Sequence, residues 1–353
     1  MNRIRDMQAA LPTRNLDGLL LTGPINRRWA IGFPSSAGAL VVTERESVFI
    51  TDSRYIEAAK TIDRSLSVVE IKTGQSYAAL INEVLGRNNV KRLGFEENVM
   101  TQGTYTVYQE KLDVELIPAQ TLLDDLRAMK TPEEYALMRA SQAITDKTFA
   151  EILPLITKDL TERSLAAEII YRLLKNGAER PAFDPIVVSG SRSSMPHGTP
   201  SDQKLEGFIT LDFGAVYQGY TSDMTRTLCL GTPNEEMRTV YETVLQAQRA
   251  GIAAAKAGII GKDLDRVARD VIEAAGYGDY FNHSFGHSLG LEVHESLKVG
   301  PTEEKPLPKC AVISAEPGIY LPGKFGVRIE DTLYLTETGC EILTQTPKKL
   351  IVL

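Results

Sequence analysis

The sequence predicts two domains, an α/β domain over residues 1–124 and an α+β domain over residues 125–353. Three observations predict this. The chain has 353 residues, too many for one ordinary core. Short apolar runs alternate with helical stretches up to about residue 120, and beyond Phe208 the texture turns to strands with glycine turns.

In the first domain, Leu19–Thr22, Ala39–Val42 and Ser47–Thr51 read as strands, with helices at Ser53–Thr61 and Tyr77–Leu85. The boundary lies near Leu123-Asp124-Asp125-Leu126-Arg127, ahead of a helix start at Lys130-Thr131-Pro132-Glu133-Glu134. There Thr131 can cap, Pro132 suits the first helical position and Glu134 can close a capping box. That helix should run toward Leu153, and a second from Thr161 to Lys175, ended by Gly177. Strands follow at Phe208–Phe213 and Thr221–Leu230, then helices at Glu235–Lys256 and Lys262–Ala275.

Composition narrows the function. Apolar residues make up 43% and charged residues 24%, with a net charge of −7, the balance of a globular enzyme. No basic stripe is available to displace counterions from nucleic acid, so that partner is excluded. No signal-peptide h-region and no run of 18 or more apolar residues occurs, so no membrane association is expected. The three cysteines, Cys229, Cys310 and Cys340, are widely spaced and fit reduced thiols of a cytoplasmic protein.

Five segments carry the chemistry. Asp212 in Leu211-Asp212-Phe213-Gly214 and Asp223 in Thr221-Ser222-Asp223-Met224-Thr225-Arg226 lie inside apolar strand runs, where aspartate is depleted. As partners in one hairpin they would repel unless a cation lay between them. Three of the four histidines, His283, His287 and His294, fall between Phe281 and Glu295. Glu316 before Pro317, and Glu330 after Val327-Arg328-Ile329, complete the set. Taken singly, Asp212 or Asp223 could cap a turn, His287 could be a core histidine, Glu316 a surface bend and His197 a loop residue. Together, four carboxylates and a neutral imidazole balance two divalent cations. The oxygen-rich donor set favours manganese, with cobalt or zinc as alternatives. Two such ions about 3.5–4 Å apart can share and acidify one water, making a bridging hydroxide. No His-Glu-x-x-His, Walker loop, Gly-x-Ser-x-Gly elbow or dinucleotide glycine motif is present.

In this order, the five segments resemble the pita-bread metallopeptidases, specifically the Xaa-Pro peptidases, prolidase and aminopeptidase P. Asn26-Arg27-Arg28-Trp29-Ala30-Ile31-Gly32-Phe33 and Thr51-Asp52-Ser53-Arg54-Tyr55 resemble that family's creatinase-like N-terminal domain, which methionine aminopeptidases lack. The resemblance implies a pita-bread catalytic domain and hydrolysis of Xaa-Pro bonds in dipeptides or longer peptides, by a homodimer. It implies Asp212, Asp223, His287, Glu316 and Glu330 as metal ligands, with Asp223 and Glu330 bridging. It also implies catalytic roles for His197, His294 and His283, and an anchoring or second-layer role for Arg328. Two departures stand out: Gly286-His287-Ser288 replaces Gly-His-Gly, and Ser296-Leu297-Lys298 stands where a proline and an arginine are common. Two rivals are a creatinase-like hydrolase working without metal and a non-catalytic pita-bread binding module; both tend to lose the ligand set.

Overall fold

Short apolar runs bounded by polar turns build the first sheet from β1 (Gly18–Leu21), β2 (Ala39–Thr43), β3 (Ser47–Thr51), β4 (Ser67–Glu70), β5 (Arg92–Phe95) and β6 (Glu115–Pro118). The computed structural model describes residues 3–62 and 66–353, and its internal contacts separate two units, Met1–Arg127 and Ala128–Leu353. In the first unit the six strands run in the order β4-β3-β2-β1-β5-β6. The β1–β2 and β2–β3 pairs are antiparallel, and the other three are parallel. Strands β1, β2 and β3 are buried along their whole length, as strands covered on both faces must be.

The Asn26–Phe33 motif serves this unit's own core. Buried Glu96 accepts hydrogen bonds from the Thr22 and Gly23 N–H groups and the Asn26 amide. Arg27 donates to the carbonyls of Thr22, Ser35 and Gly38. One expected element is shortened. The helix expected over Ser53–Thr61 is confined to Ile56–Ala59. Asp52 takes the Arg54 N–H on its side chain and pairs with the Arg54 guanidinium, which holds residues 53–55 as a turn instead.

In the second unit the helix Pro132–Ile152 begins with the expected reciprocal cap. Thr131 Oγ1 accepts the Glu134 N–H, and the Glu134 carboxylate accepts the Thr131 N–H at 2.7 Å. The helix Glu162–Lys175 is capped by Thr161. Strands follow as β7 (Arg180–Pro181), β8 (Ile186–Ser189), β9 (Gly207–Asp212), β10 (Ala215–Tyr217), β11 (Tyr220–Thr221) and β12 (Thr225–Leu230). After the helices Glu235–Ala254 and Gly261–Ala274 come β13 (Gly286–His287), β14 (Lys298–Val299), β15 (Val312–Ala315) and β16 (Gly318–Leu321). The chain closes with β17 (Phe325–Arg328), β18 (Asp331–Leu335) and β19 (Cys340–Ile342). They assemble as β8-β9-β12, β7-β10-β11, β13-β14, β15-β18-β19 and β16-β17.

Two apolar cores flank β9 and β12. Ile209, Leu211 and Leu228 join the core of the first helix pair with Ile144, Leu165 and Ile169. Phe208 and Cys229 join the core of the second pair with Val244, Leu264 and Ala268. Strand alternation therefore sends Phe208, Thr210 and Asp212 to one face, opposite Cys229, Thr227 and Thr225. The expected continuous strand Thr221–Leu230 is broken at residues 222–224. The Ser222 hydroxyl accepts the Ala215 N–H and meets Ser141 and Thr145, so the chain pairs with β10 before it rejoins β9. Asp223 thus lies in the break, and the direct partner of Asp212 is Thr225. Among the described residues, no helix is long and apolar enough to cross a membrane.

Removing the Thr131 hydroxyl, as Thr131→Ala, should destabilise this unit by about 1 kcal/mol, read as a lower denaturant midpoint for its unfolding transition.

Candidate metal centre

Four carboxylates reach one cavity from a strand end and from the links between strands. Asp212 ends β9, Asp223 occupies the break before β12, Glu316 links β15 to β16, and Glu330 precedes β18. His287 ends β13. Its Nδ1 lies 3.3 Å from the Ser288 carbonyl, which can only accept, so Nδ1 carries the hydrogen and Nε2 faces the acids. Nε2 stands 3.2 Å from Glu316 and 3.7 Å from Asp223. Ser314 joins two of the elements, accepting the His287 N–H and donating to Glu316 Oε1. One ligand-type atom each from Asp223, His287 and Glu330 fall within 4.8 Å of one another.

Arg328, buried at the end of β17, connects the rest. It donates to Asp212 Oδ2 at 2.6 Å, to the Tyr320 hydroxyl at 2.8 Å, to Thr225 Oγ1 at 3.1 Å and to the Pro196 carbonyl at 3.3 Å. Thr225 passes the connection on by donating to Glu330 Oε2. Tyr320 passes it to His283, whose Nε2 lies 2.9 Å away while its Nδ1 hydrogen is held by the Ser284 carbonyl. Gly318 makes room for this. A Cβ there would stand 2.5 Å from the Tyr320 hydroxyl.

The electrostatics are those of crowded anions. Burial lifts the Asp223 and Glu330 carboxyls well above their usual range, and the neighbouring carboxylates add to it. Asp212 is lifted by burial against the pull of Arg328. Burial opposes charge on both His287 and Glu316, yet their hydrogen bond and mutual attraction win. Glu316 falls to about 2 and His287 rises to about 9. Asp212 Oδ1, Asp223 Oδ1 and Glu330 Oε1 are buried with no hydrogen-bond partner among the described residues. Buried carboxylate oxygens left in this state are costly, and divalent cations would satisfy all three. The donor set fits such ions.

A cavity of about 630 Å³ opens on this cluster. Every residue singled out in the sequence lines it: Asp212, Asp223, His287, Glu316, Glu330, His283, Arg328, His294 and His197. The His294 ring packs edge-on to His287 with centroids 4.1 Å apart, and burial followed by the His287 charge lowers its pKa. His197 is exposed at the cavity. Sequence reasoning missed Tyr320, Ser314 and the relay through Thr225. Strand parity was the available signal, since Tyr320 shares a face with Gly318, opposite Arg328.

A metal-accepting carboxylate cluster in an α+β unit, preceded by an α/β unit, defines a two-domain metallohydrolase architecture. The chain belongs to metallopeptidase family M24, whose model matches residues 136–337, and the creatinase/prolidase N-terminal domain matches residues 3–129. The second unit is thus a pita-bread catalytic domain, and the protein is an enzyme of the metallopeptidase class. It is 38% identical to the Xaa-Pro dipeptidase of Pyrococcus furiosus, with 99% of each chain covered. The Xaa-Pro dipeptidase structure from Bacillus anthracis superposes with a TM-score of 0.95 at 37% identity, covering 99% of both chains. The X-Pro aminopeptidase structure from Thermotoga maritima gives 0.91 at 36% identity, covering 96% of this chain and 98% of that one.

Without metal, His287, raised to about 9, holds its proton at neutral pH, burial favours the protonated form of Asp223 and Glu330, and a group that ligates must be free of its proton. Binding should therefore release protons, and affinity should rise with pH up to the value of about 9 held by His287. Calorimetry of the metal-free protein in buffers of different ionisation enthalpy reads both. A pH-independent affinity would remove this cluster as the binding site.

Proposed function

We propose that the chain is a two-metal peptidase that cuts the bond between a first residue and a following proline, in Xaa-Pro dipeptides or in longer peptides with proline second. The observation that carries this reading is the convergence of four carboxylates and one imidazole on a single cavity, with three carboxylate oxygens left unpaired. Those oxygens weigh against a metal-free hydrolase or an inert binding module. The names of the Pyrococcus, Bacillus and Thermotoga relatives support the substrate class.

Asp212, Asp223, His287, Glu316 and Glu330 would hold two divalent ions, manganese first and cobalt or zinc as alternatives. When bound, such ions lower the pKa of a water and polarise a carbonyl oxygen. The chain's own groups do the rest. His294, its pKa lowered by burial, is neutral at pH 7 and donates a hydrogen bond to the oxygen of the scissile carbonyl. His197, at the open side, assists that oxygen or carries the proton toward the leaving nitrogen. His283 has both ring nitrogens engaged, so its part is to steady Tyr320, and through it Arg328 and Asp212. The Xaa-Pro bond has no N–H, and the cavity answers with an apolar wall of Phe183, Pro185, Ile186 and Val293. The same reading makes the enzyme cytoplasmic and a homodimer.

Lys298 bears on the choice between dipeptides and longer substrates. It is the direct cross-strand partner of His287, so both side chains leave the same face of the ribbon, and Lys298 lines the cavity. Its ammonium suits the terminal carboxylate of a dipeptide, held by a point charge rather than a guanidinium fork.

Purified protein with manganese should release proline from an Xaa-Pro dipeptide, and Asp223→Ala should abolish release. Equal rates for the two, or no proline from either, would sink the proposal. Lys298→Met should raise the dipeptide KM on the order of tenfold, the worth of one charge-assisted hydrogen bond, and leave the KM for Xaa-Pro-Xaa nearly unchanged. An equal rise for both substrates would remove Lys298 as the carboxylate anchor.

A further inference from the structure

His294 belongs to the segment 288–297, which contains neither helix nor strand, yet its ring is set edge-on to His287. Backbone ties close the segment at its ends. Ser288 N–H donates to the Leu297 carbonyl, Leu297 N–H to Ser288 Oγ, and Glu295 N–H to the Ser288 carbonyl. Thr221 donates its N–H and its hydroxyl to the Gly290 carbonyl.

Between these ties lies a buried charge. Glu295, adjacent to His294, turns its carboxylate inward, where Oε1 accepts the Leu291 N–H at 3.2 Å and Oε2 accepts from Lys130 Nζ at 2.8 Å. The two side chains are 6% and 2% exposed. The carboxylate fills the space under Gly290 so closely that a Cβ there would stand 2.6 Å from Oε1. Lys130 is fixed in turn. Its N–H donates to the Cys310 carbonyl, and Thr131 beside it opens the capping box of the helix Pro132–Ile152. A buried charge that loses its partner is strongly unfavourable, so the ammonium and the carboxylate hold each other in place. Apolar packing could fill the same volume, but it would fix no direction.

The geometry points to Lys130 and Glu295 as a positioning pair for His294: the buried ion pair sets the conformation of residues 288–297 and thereby aims the imidazole at the cavity. This rests on the reading of His294 as the group that meets the scissile carbonyl. Glu295 lines the cavity beside His294, and the bonds of its carboxylate described above run to Leu291 and Lys130.

The test uses the full-length protein with Lys130→Met, Glu295→Gln and the double variant, assayed with manganese and an Xaa-Pro dipeptide. Each single variant should lower kcat by on the order of ten- to a hundredfold, the cost of misaiming one catalytic group. KM and the number of metal ions bound, counted by calorimetry, should stay near wild type. Hydrogen–deuterium exchange should quicken across 288–297 and not elsewhere in the unit. The double variant, which removes both members of the pair together, should lose less than the product of the two single losses. Wild-type kcat in both singles, multiplicative losses in the double, loss of bound metal, or quickened exchange spread over the whole unit would each overturn the assignment. Should the wild type release no proline, the peptidase reading fails, and exchange still decides the pair: unaltered protection of 288–297 in both single variants overturns it.

Discussion

Four carboxylates buried around one cavity are the constraint that everything else in the second unit accommodates. Asp223 and Glu330 are 4% and 1% exposed, and the His287 charge beside Asp223 and the Thr225 hydroxyl on Glu330 relieve only part of their desolvation and mutual repulsion. A core built for stability alone would not gather such groups. The surroundings respond in two ways. His287 and Glu316 neutralise each other, and Arg328 neutralises one oxygen of Asp212. Asp212 Oδ1, Asp223 Oδ1 and Glu330 Oε1 keep no hydrogen-bond partner among the described residues, and that residual deficit gives the site its appetite for cations.

Arg328 shows how a single cation can organise without cancelling. Its contacts run to Asp212, to Thr225 and so to Glu330, to Tyr320 and so to His283, and to the carbonyl that precedes His197. It uses the directional fork of the guanidinium to tie β9, β12, β16 and the loop before His197 to the end of β17. The arginine takes up so little of the negative charge that the cluster keeps its character.

Much of this could be read from the chain before any coordinates, because the relevant signals are local. The capping box at Thr131 and Glu134, the helical periodicity of Leu165, Ile169 and Leu173, and acids placed inside apolar runs need only neighbouring residues to be recognised. What could not be read depends on distant partners. The break at residues 222–224 comes from Ser222 meeting Ser141 and Thr145, and Lys130 meets a glutamate 165 positions away. Tyr320 looks like an ordinary strand tyrosine until Gly318 is seen to leave space for its hydroxyl. The turn at residues 53–55 belongs to a third kind, a local competition in which a side chain of Asp52 outbid the helix.

The division of β9 and β12 between two cores has an evolutionary corollary. Odd and even positions of each strand feed different cores, and the same parity aims Asp212 and Thr225 at the cavity. Losing or gaining one residue inside β9 would exchange its two faces, turning Leu211 toward the cavity and Asp212 into packed hydrocarbon. Descendants of this chain can vary their side chains here by degrees, but insertions and deletions are tolerable only in the connecting loops.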